Sequence, residues 1–225
     1  TNAFVDASVD AVESQGEAIS CKAGCGACCR QPVPISEVEV YQIAELVRSM
    51  PEPRRGEIEK RFADGAAHFQ KIGWFDEAKE RAELTPTEPR DEAMRKLVDM
   101  AMRYFYQGIP CPFLENESCS IHESRPVACR EYLVTSPAEN CSKPTAETVR
   151  VIDIFLKPSL SLRRVGSTGQ FDSLGFLPMI RALEIAEAFP EDLAEKTGRE
   201  WMADFFNDVT AQQNAAQAAA DQPNT

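Results

Sequence analysis

Apolar positions recur at helical spacing along most of the chain. Val5, Val9, Val12 and Ile19 do so over residues 1–20, a segment that carries Asp6, Asp10, Glu13 and Glu17 but no base, and they predict an N-terminal helix. Gly24 and Gly26 break the pattern, and Gln31-Pro32-Val33-Pro34 is held extended by its prolines. Ser36, followed three residues later by Glu39, has the form of a capping box. The helix it opens turns Val40, Tyr41, Ala44 and Val47 inward and stops at Pro51 and Pro53. A charged helical stretch runs from Arg54 to Leu84 with an interruption near Gly73, and residues 85–89 form a loop. Asp91 to Gln107 reads as a helix with Met94, Leu97, Val98, Ala101, Tyr104 and Phe105 on its inner side and Gly108 at its end.

The pattern then shortens. Phe113-Leu114, the polar run Glu115-Asn116-Glu117-Ser118, and Ile121 predict a small hairpin or knuckle. Arg125-Pro126 leads into a short helix that carries Cys129. Val149 to Leu156 alternates weakly, as a strand or a buried helical turn would, and Gly166 to Gly175 is a loop. Met179 to Phe189 and Trp201 to Val209 read as amphipathic helices, the second with Trp201, Met202, Phe205, Phe206 and Val209 as a core stripe. Residues 211–225, rich in Ala, Gln and Asn, are expected to fray into a disordered tail. No internal repeat is present. These elements predict a mainly α fold: one irregular helical domain over residues 1–210, with a motif core at 21–141, C-terminal helices within 176–210, and the tail at 211–225.

Composition narrows the function. Of 225 residues 43% are hydrophobic, enough for one sizeable core. The net charge of −12 sets the chain against the phosphate backbone of nucleic acid. No apolar stretch approaches the ~18–20 residues that cross a bilayer. No basic segment followed by an apolar run precedes Cys21, so a cytoplasmic, reducing setting is expected.

The eight cysteines carry the chemistry. Cys21, Cys25, Cys28 and Cys29 lie within nine residues, and Cys111, Cys119, Cys129 and Cys141 form a second group. Four thiols so crowded are hard to pair with one another, because a disulfide needs Cβ separations of about 3.5–4.5 Å in one orientation. In a reducing compartment such spacing points to metal. Gly24 and Gly26 let the first loop turn tightly, and Lys22 and Arg30, without a nearby acid, favour the thiolate form that binds metal. Arg125 and Arg130 supply the same charge to the second group. They are candidates to donate to the centre, with salt bridges to Glu123 or Glu131 as the equal alternative. Eight sulfurs make two four-coordinate sites or one polynuclear cluster. Adjacent Cys28 and Cys29 should face different ways. His122 could replace a cysteine as a ligand, but enough sulfurs exist without it, and a knuckle histidine touching solvent or backbone is the simpler reading. His68, in a charged helix, is incidental, and Tyr132 is read as packing.

At Cys25-Gly26-Ala27-Cys28-Cys29, Cys111-Pro112-Phe113-Leu114, Cys119-Ser120-Ile121 and Arg125-Pro126-Val127-Ala128-Cys129-Arg130 the chain resembles the bacterial CxxCxxCC cysteine-cluster family, also called YkgJ. The resemblance covers about residues 21–141. It implies chelation of zinc or iron. A related domain in flagellin lysine N-methylases adds an iron–sulfur cluster to what is implied. No glycine-rich strand–loop–helix for S-adenosylmethionine is present. The spacing of Cys21, Cys25 and Cys28 equals that of radical S-adenosylmethionine enzymes, but the alternating strands and helices of their barrel are missing. A metal-binding protein with a structural, storage or sensing role is therefore expected, the alternative being a metal- or iron–sulfur-dependent enzyme with a methylase-like or redox task. Metal is the one partner the sequence names.

Overall fold

The computed structural model describes residues 2–171 and 177–220, with the backbone alone for 215–220. Helix α1 spans Asn2–Ser14 and is followed by the first cysteine loop, which ends in a tight turn at Ala27–Arg30. Strand β1 (Pro34–Ile35) leads into α2 (Glu37–Arg48). The capping box is present in full. Glu39 N–H donates to Ser36 Oγ, and Glu39 Oε2 accepts from both Ser36 N–H and Ser36 O–H at 2.8 Å. Val40, Tyr41, Ala44 and Val47 are buried as the periodicity predicts, with Ile43 beside them.

Helices α3 (Arg54–Lys71) and α4 (Trp74–Leu84) are separated at Gly73, whose φ of +73° is the left-handed conformation that ends one helix and redirects the chain. Helix α5 (Arg90–Phe105) packs on α4. The Glu88 carboxylate, between Arg81 and Lys96, ties the two together. Their aromatic side chains form a separate core, in which Phe69 stacks on Tyr104 at 3.7 Å between ring centres and Trp74 donates its indole N–H to the Met100 carbonyl at 3.1 Å. The inner face of α5 differs from the periodic expectation. Ala93, Tyr104 and Phe105 are buried, whereas Met94 and Val98 are 55% and 51% exposed. Helix α4 and Phe69 of α3 cover this helix along a narrow stripe, and the remaining apolar positions stay in water.

Strands β2 (Leu114–Glu115) and β3 (Ser118–Cys119) form the expected hairpin, and α6 (Val127–Glu131) begins just after Pro126. Residues 149–156 bury Ile152, Ile154 and Leu156 on alternate positions, but the segment makes only the isolated bridge Val134–Val151 and no strand. Helix α7 (Pro158–Val165) follows, and β4 (Leu177–Pro178) pairs antiparallel with β1. Met179–Arg181 and α8 (Ala182–Ala188) then pack on α2 and α3, closing the main core of Ile35, Val40, Ile43, Val47, Ile58, Phe62, Phe113, Ile121, Leu177, Met179, Ala182 and Ile185. The far end of the loop expected at Gly166 to Gly175 lies outside the described residues.

Helix α9 (Gly198–Ala220) docks on α7 and extends well beyond the expected stop. Residues 211–220 are helical, not frayed, because Ala and Gln are strong helix formers that continue a helix already nucleated. Residues 221–225 lie outside the described part. The aromatic stripe is split: Val209 is buried and Trp201 and Phe205 half-buried, while Met202 and Phe206 are 53% and 49% exposed, since α7 covers a single face. Docking is polar at its centre. Asp208 accepts from Arg164 Nε and Nη2 and from Ser161 O–H, each at 2.7 Å. The Arg164 guanidinium, above all, holds Asp208 down at about 2. A carboxylate so depressed stabilises the fold above its ordinary value near 4, and that contribution disappears as the pH falls towards 2. Asp208→Asn is expected to cost about 1 kcal/mol at pH 7, a figure discounted for the exposure of Arg164. Urea unfolding at pH 7 and pH 3 should show the difference from the natural chain shrinking at the lower pH.

Candidate metal centre

All eight cysteines line one cavity of about 500 Å³, although they come from two stretches about 80 residues apart. The first loop reaches it because its backbone is anchored at both ends. Ser20 N–H donates to the Val134 carbonyl at 2.9 Å, and Ser20 O–H to that of Ser136. At the other end Cys111 N–H donates to the Cys29 carbonyl at 2.7 Å. Gly26 is where the loop meets the hairpin. A Cβ there would lie 2.6 Å from Glu117 Oε2 and 2.7 Å from Leu114 Cδ1, so any larger residue would have to push those two side-chain ends aside.

The hairpin itself turns through Asn116 and Glu117, at φ of 50° and 57°. Two successive left-handed residues make the mirror-image turn that matches strand twist. Glu117 tolerates that conformation poorly, and Arg30 holds it there by a two-pronged contact at 2.8 and 3.1 Å. The strand pairing sets Cys119 opposite Leu114, close to Cys111. Cys129 is delivered by α6, whose N-terminus is fixed when Val127 N–H donates to Glu39 Oε1 at 2.8 Å. Cys141, in the turn Ala138–Ser142, packs on the turn Ala27–Arg30.

Among the described residues no aspartate or glutamate lines the cavity. Lys22, Arg125 and His122 do, together with Gln31 and Tyr132, whose hydroxyl meets the Gln31 side chain. Arg125 Nη1 lies 2.9 Å from His122 Nε2, while Arg125 Nε is buried without a hydrogen-bond partner. A buried guanidinium N–H with nothing to bond is costly, and an anionic centre in the cavity would supply its acceptor. Arg130 is placed differently. It donates to the carbonyls of Arg125 and Glu123 and to the Asn2 side chain, so it braces the turn before α6 and ties α1 to it. Among the described residues neither arginine has a salt bridge to Glu123 or Glu131, and Glu131 instead accepts from Ser159 at the start of α7. His68 contacts Gln107 on the surface, away from the cavity.

Neighbouring sulfurs and burial set several of these thiols apart. The Cys29 S–H donates to Cys28, which, with Arg125 nearby, brings the Cys28 thiol down to about 7. Cys29 keeps the shared proton and is raised, by that bond and then by burial. Burial pushes Cys111 up to about 12 and Cys141 up to about 11, and raises Cys129 as well. Among the described residues the eight are free thiols, and no three His, Cys, Asp or Glu side chains are drawn together closely enough to hold an ion without adjustment. The donor set nevertheless fits one kind of occupant. Thiolates without hard oxygen ligands select zinc, iron or iron–sulfur centres and reject calcium and magnesium. Loading must displace protons from the raised thiols, so affinity for zinc is expected to climb with pH, at least tenfold per unit between pH 6 and 8. Competition against a coloured chelator at three pH values measures it, and a flat profile would exclude ligation by these thiols.

The sequence missed three contributors. Glu39 caps α6 from across the fold, Glu117 receives Arg30, and Met179 lines the cavity from beyond the motif. None carries a local signal, since each acts through a partner distant in sequence. Among known proteins, residues 20–148, more than half of the chain, match the model of the CxxCxxCC family, described as a "putative zinc- or iron-chelating domain". No curated protein and no solved structure matches the chain.

Proposed function

We propose, for a chain that belongs to the CxxCxxCC family, that the cavity is a thiolate metal centre taking zinc or iron, the iron alone or with inorganic sulfide, and that the protein holds this metal for structure, storage or sensing. One observation carries the reading: among the described residues eight free thiols and no carboxylate converge on a single cavity bordered by cations. Lys22 and Arg125 offset the excess negative charge that a four-thiolate centre retains around a divalent ion. The Arg125 Nε–H is a donor suited to a ligating sulfur. Such thiols persist in a reducing cytoplasm, to which we assign the protein. Among the described residues no helix is long and apolar enough to cross a membrane.

A second reading, a metal- or iron–sulfur-dependent enzyme, draws on the size of the cavity. At about 500 Å³ it exceeds the needs of one ion bound at about 2.3 Å, and the exposed Cys21 lies beside Tyr132 and Gln31 on the wall. An open coordination position would belong to that reading and a closed thiolate shell to the first.

Purification without oxygen, followed by an absorption spectrum and elemental analysis, tests both the metal and its form. Stoichiometric zinc in a colourless protein, or iron with acid-labile sulfide in a brown one, supports the proposal and chooses between its forms. A folded protein that contains neither and takes up neither Zn²⁺ nor Fe²⁺ overturns it.

A further inference from the structure

The sulfurs do not surround the cavity evenly. The Cys111 N–H bond to the Cys29 carbonyl puts those two residues side by side, and the hairpin brings Cys119 to the same end. Cys129 joins them from α6, and Cys111 and Cys119 pack directly against the main core. At the other end Ser20 pins Cys21 beside Val134. The turn that holds Cys141 packs against the turn that holds Cys28 and Cys29, and a neighbouring cavity shared by Cys25, Ala138 and Ser142 shows Cys25 facing the same turn. The adjacent pair Cys28 and Cys29 stands at the divide, joined by its shared proton.

Resting on the reading of the cavity as a thiolate metal centre, we propose that the eight thiols form two adjacent four-sulfur sites. The inner site is Cys29, Cys111, Cys119 and Cys129, set against the core; the outer site is Cys21, Cys25, Cys28 and Cys141, at the mouth. The two sites differ in access. Cys21 is exposed and adjoins Lys22, so the outer metal meets solvent through that one ligand and exchanges, although Cys141 of the same site is buried; the inner metal, held by four half-buried sulfurs, is backed by Phe113 and Ile121 of the core and holds the fold.

The test is a Co²⁺ titration of the full chain, made metal-free under reducing conditions and followed by the visible bands of tetrahedral thiolate cobalt. Two equivalents are expected, released to a chelator in two phases that differ at least tenfold in rate. C21S and C141S should each stop the titration at one equivalent, remove the fast phase and leave the melting temperature of the loaded protein nearly unchanged. C119S should remove the slow phase. If C119S does not fold, the two outer variants decide alone. Loss of all cobalt in C21S or C141S, or saturation at a number other than two, overturns the partition while leaving thiolate metal binding intact. Absence of any thiolate–cobalt band in the natural chain overturns both.

Discussion

Cys129→Ser is expected to lower the melting temperature of the metal-loaded protein by about 10 °C, with loss of about 3–4 kcal/mol. The estimate takes one ligand as roughly a quarter of the ~10–16 kcal/mol that a structural thiolate site contributes, at about 2–4 °C per kcal/mol for a chain of this size. Cys129 is chosen because it sits deep among the other thiols and its helix is rigidly placed by the Glu39 cap. Serine is close to the protonated thiol in shape, so the metal-free protein should hardly notice the change. A strong chelator, which removes the whole metal and not one ligand, should therefore lower the natural protein to the level of the variant or below it, and lower the variant by less. Thermal melts with and without chelator measure this, and equal responses from the two proteins would remove the metal from the account of stability.

Glu39→Ala should be nearly as damaging without touching a thiol. Glu39 is buried, and its two oxygens accept from Ser36 N–H, Ser36 O–H and Val127 N–H. Removing it uncaps α2 and α6 together and leaves two backbone donors unsatisfied, a loss of about 3 kcal/mol from the cap and the orphaned groups. The same change loosens the helix that carries Cys129, so zinc affinity should fall along with stability. Glu39→Gln, which retains one acceptor oxygen, should recover part of both. Urea unfolding and zinc competition on the two variants check it, and a loss below about 1 kcal/mol for the alanine variant would mean that Glu39 caps neither helix effectively.

These effects show where the chain can be read locally and where it cannot. The α2 cap, the break at Gly73 and the hairpin after Cys111 follow from neighbours within a few residues, and each was legible. The second role of Glu39 was not, because its partner lies 88 residues away. Helix α5 misled for a related reason. Periodicity identifies an apolar face, but how much of Met94 and Val98 is covered depends on where other elements arrive, and α4 and Phe69 of α3 meet the helix elsewhere. The exposed Met202 and Phe206 of α9 repeat that lesson, and the helical residues 211–220 show backbone propensity outweighing the absence of anything large to bury. The cysteines themselves were legible as a metal constellation. Their meeting was part of that reading, but the means was not legible, since Ser20, Arg30 and Cys111 bring it about by bonds across the fold.

The anchoring of the first loop to Val134 and Cys111 bears on how the protein is born. A ribosome adding about 5–20 residues per second exposes Cys21 to Cys29 well before Cys141 exists, an interval of roughly 6–24 s over the intervening stretch. Throughout it the early thiols have neither the hairpin nor the Ala138–Ser142 turn to lean on. The nascent chain therefore passes through a window in which half of its sulfurs are open to oxidants and to whichever soft cation arrives first.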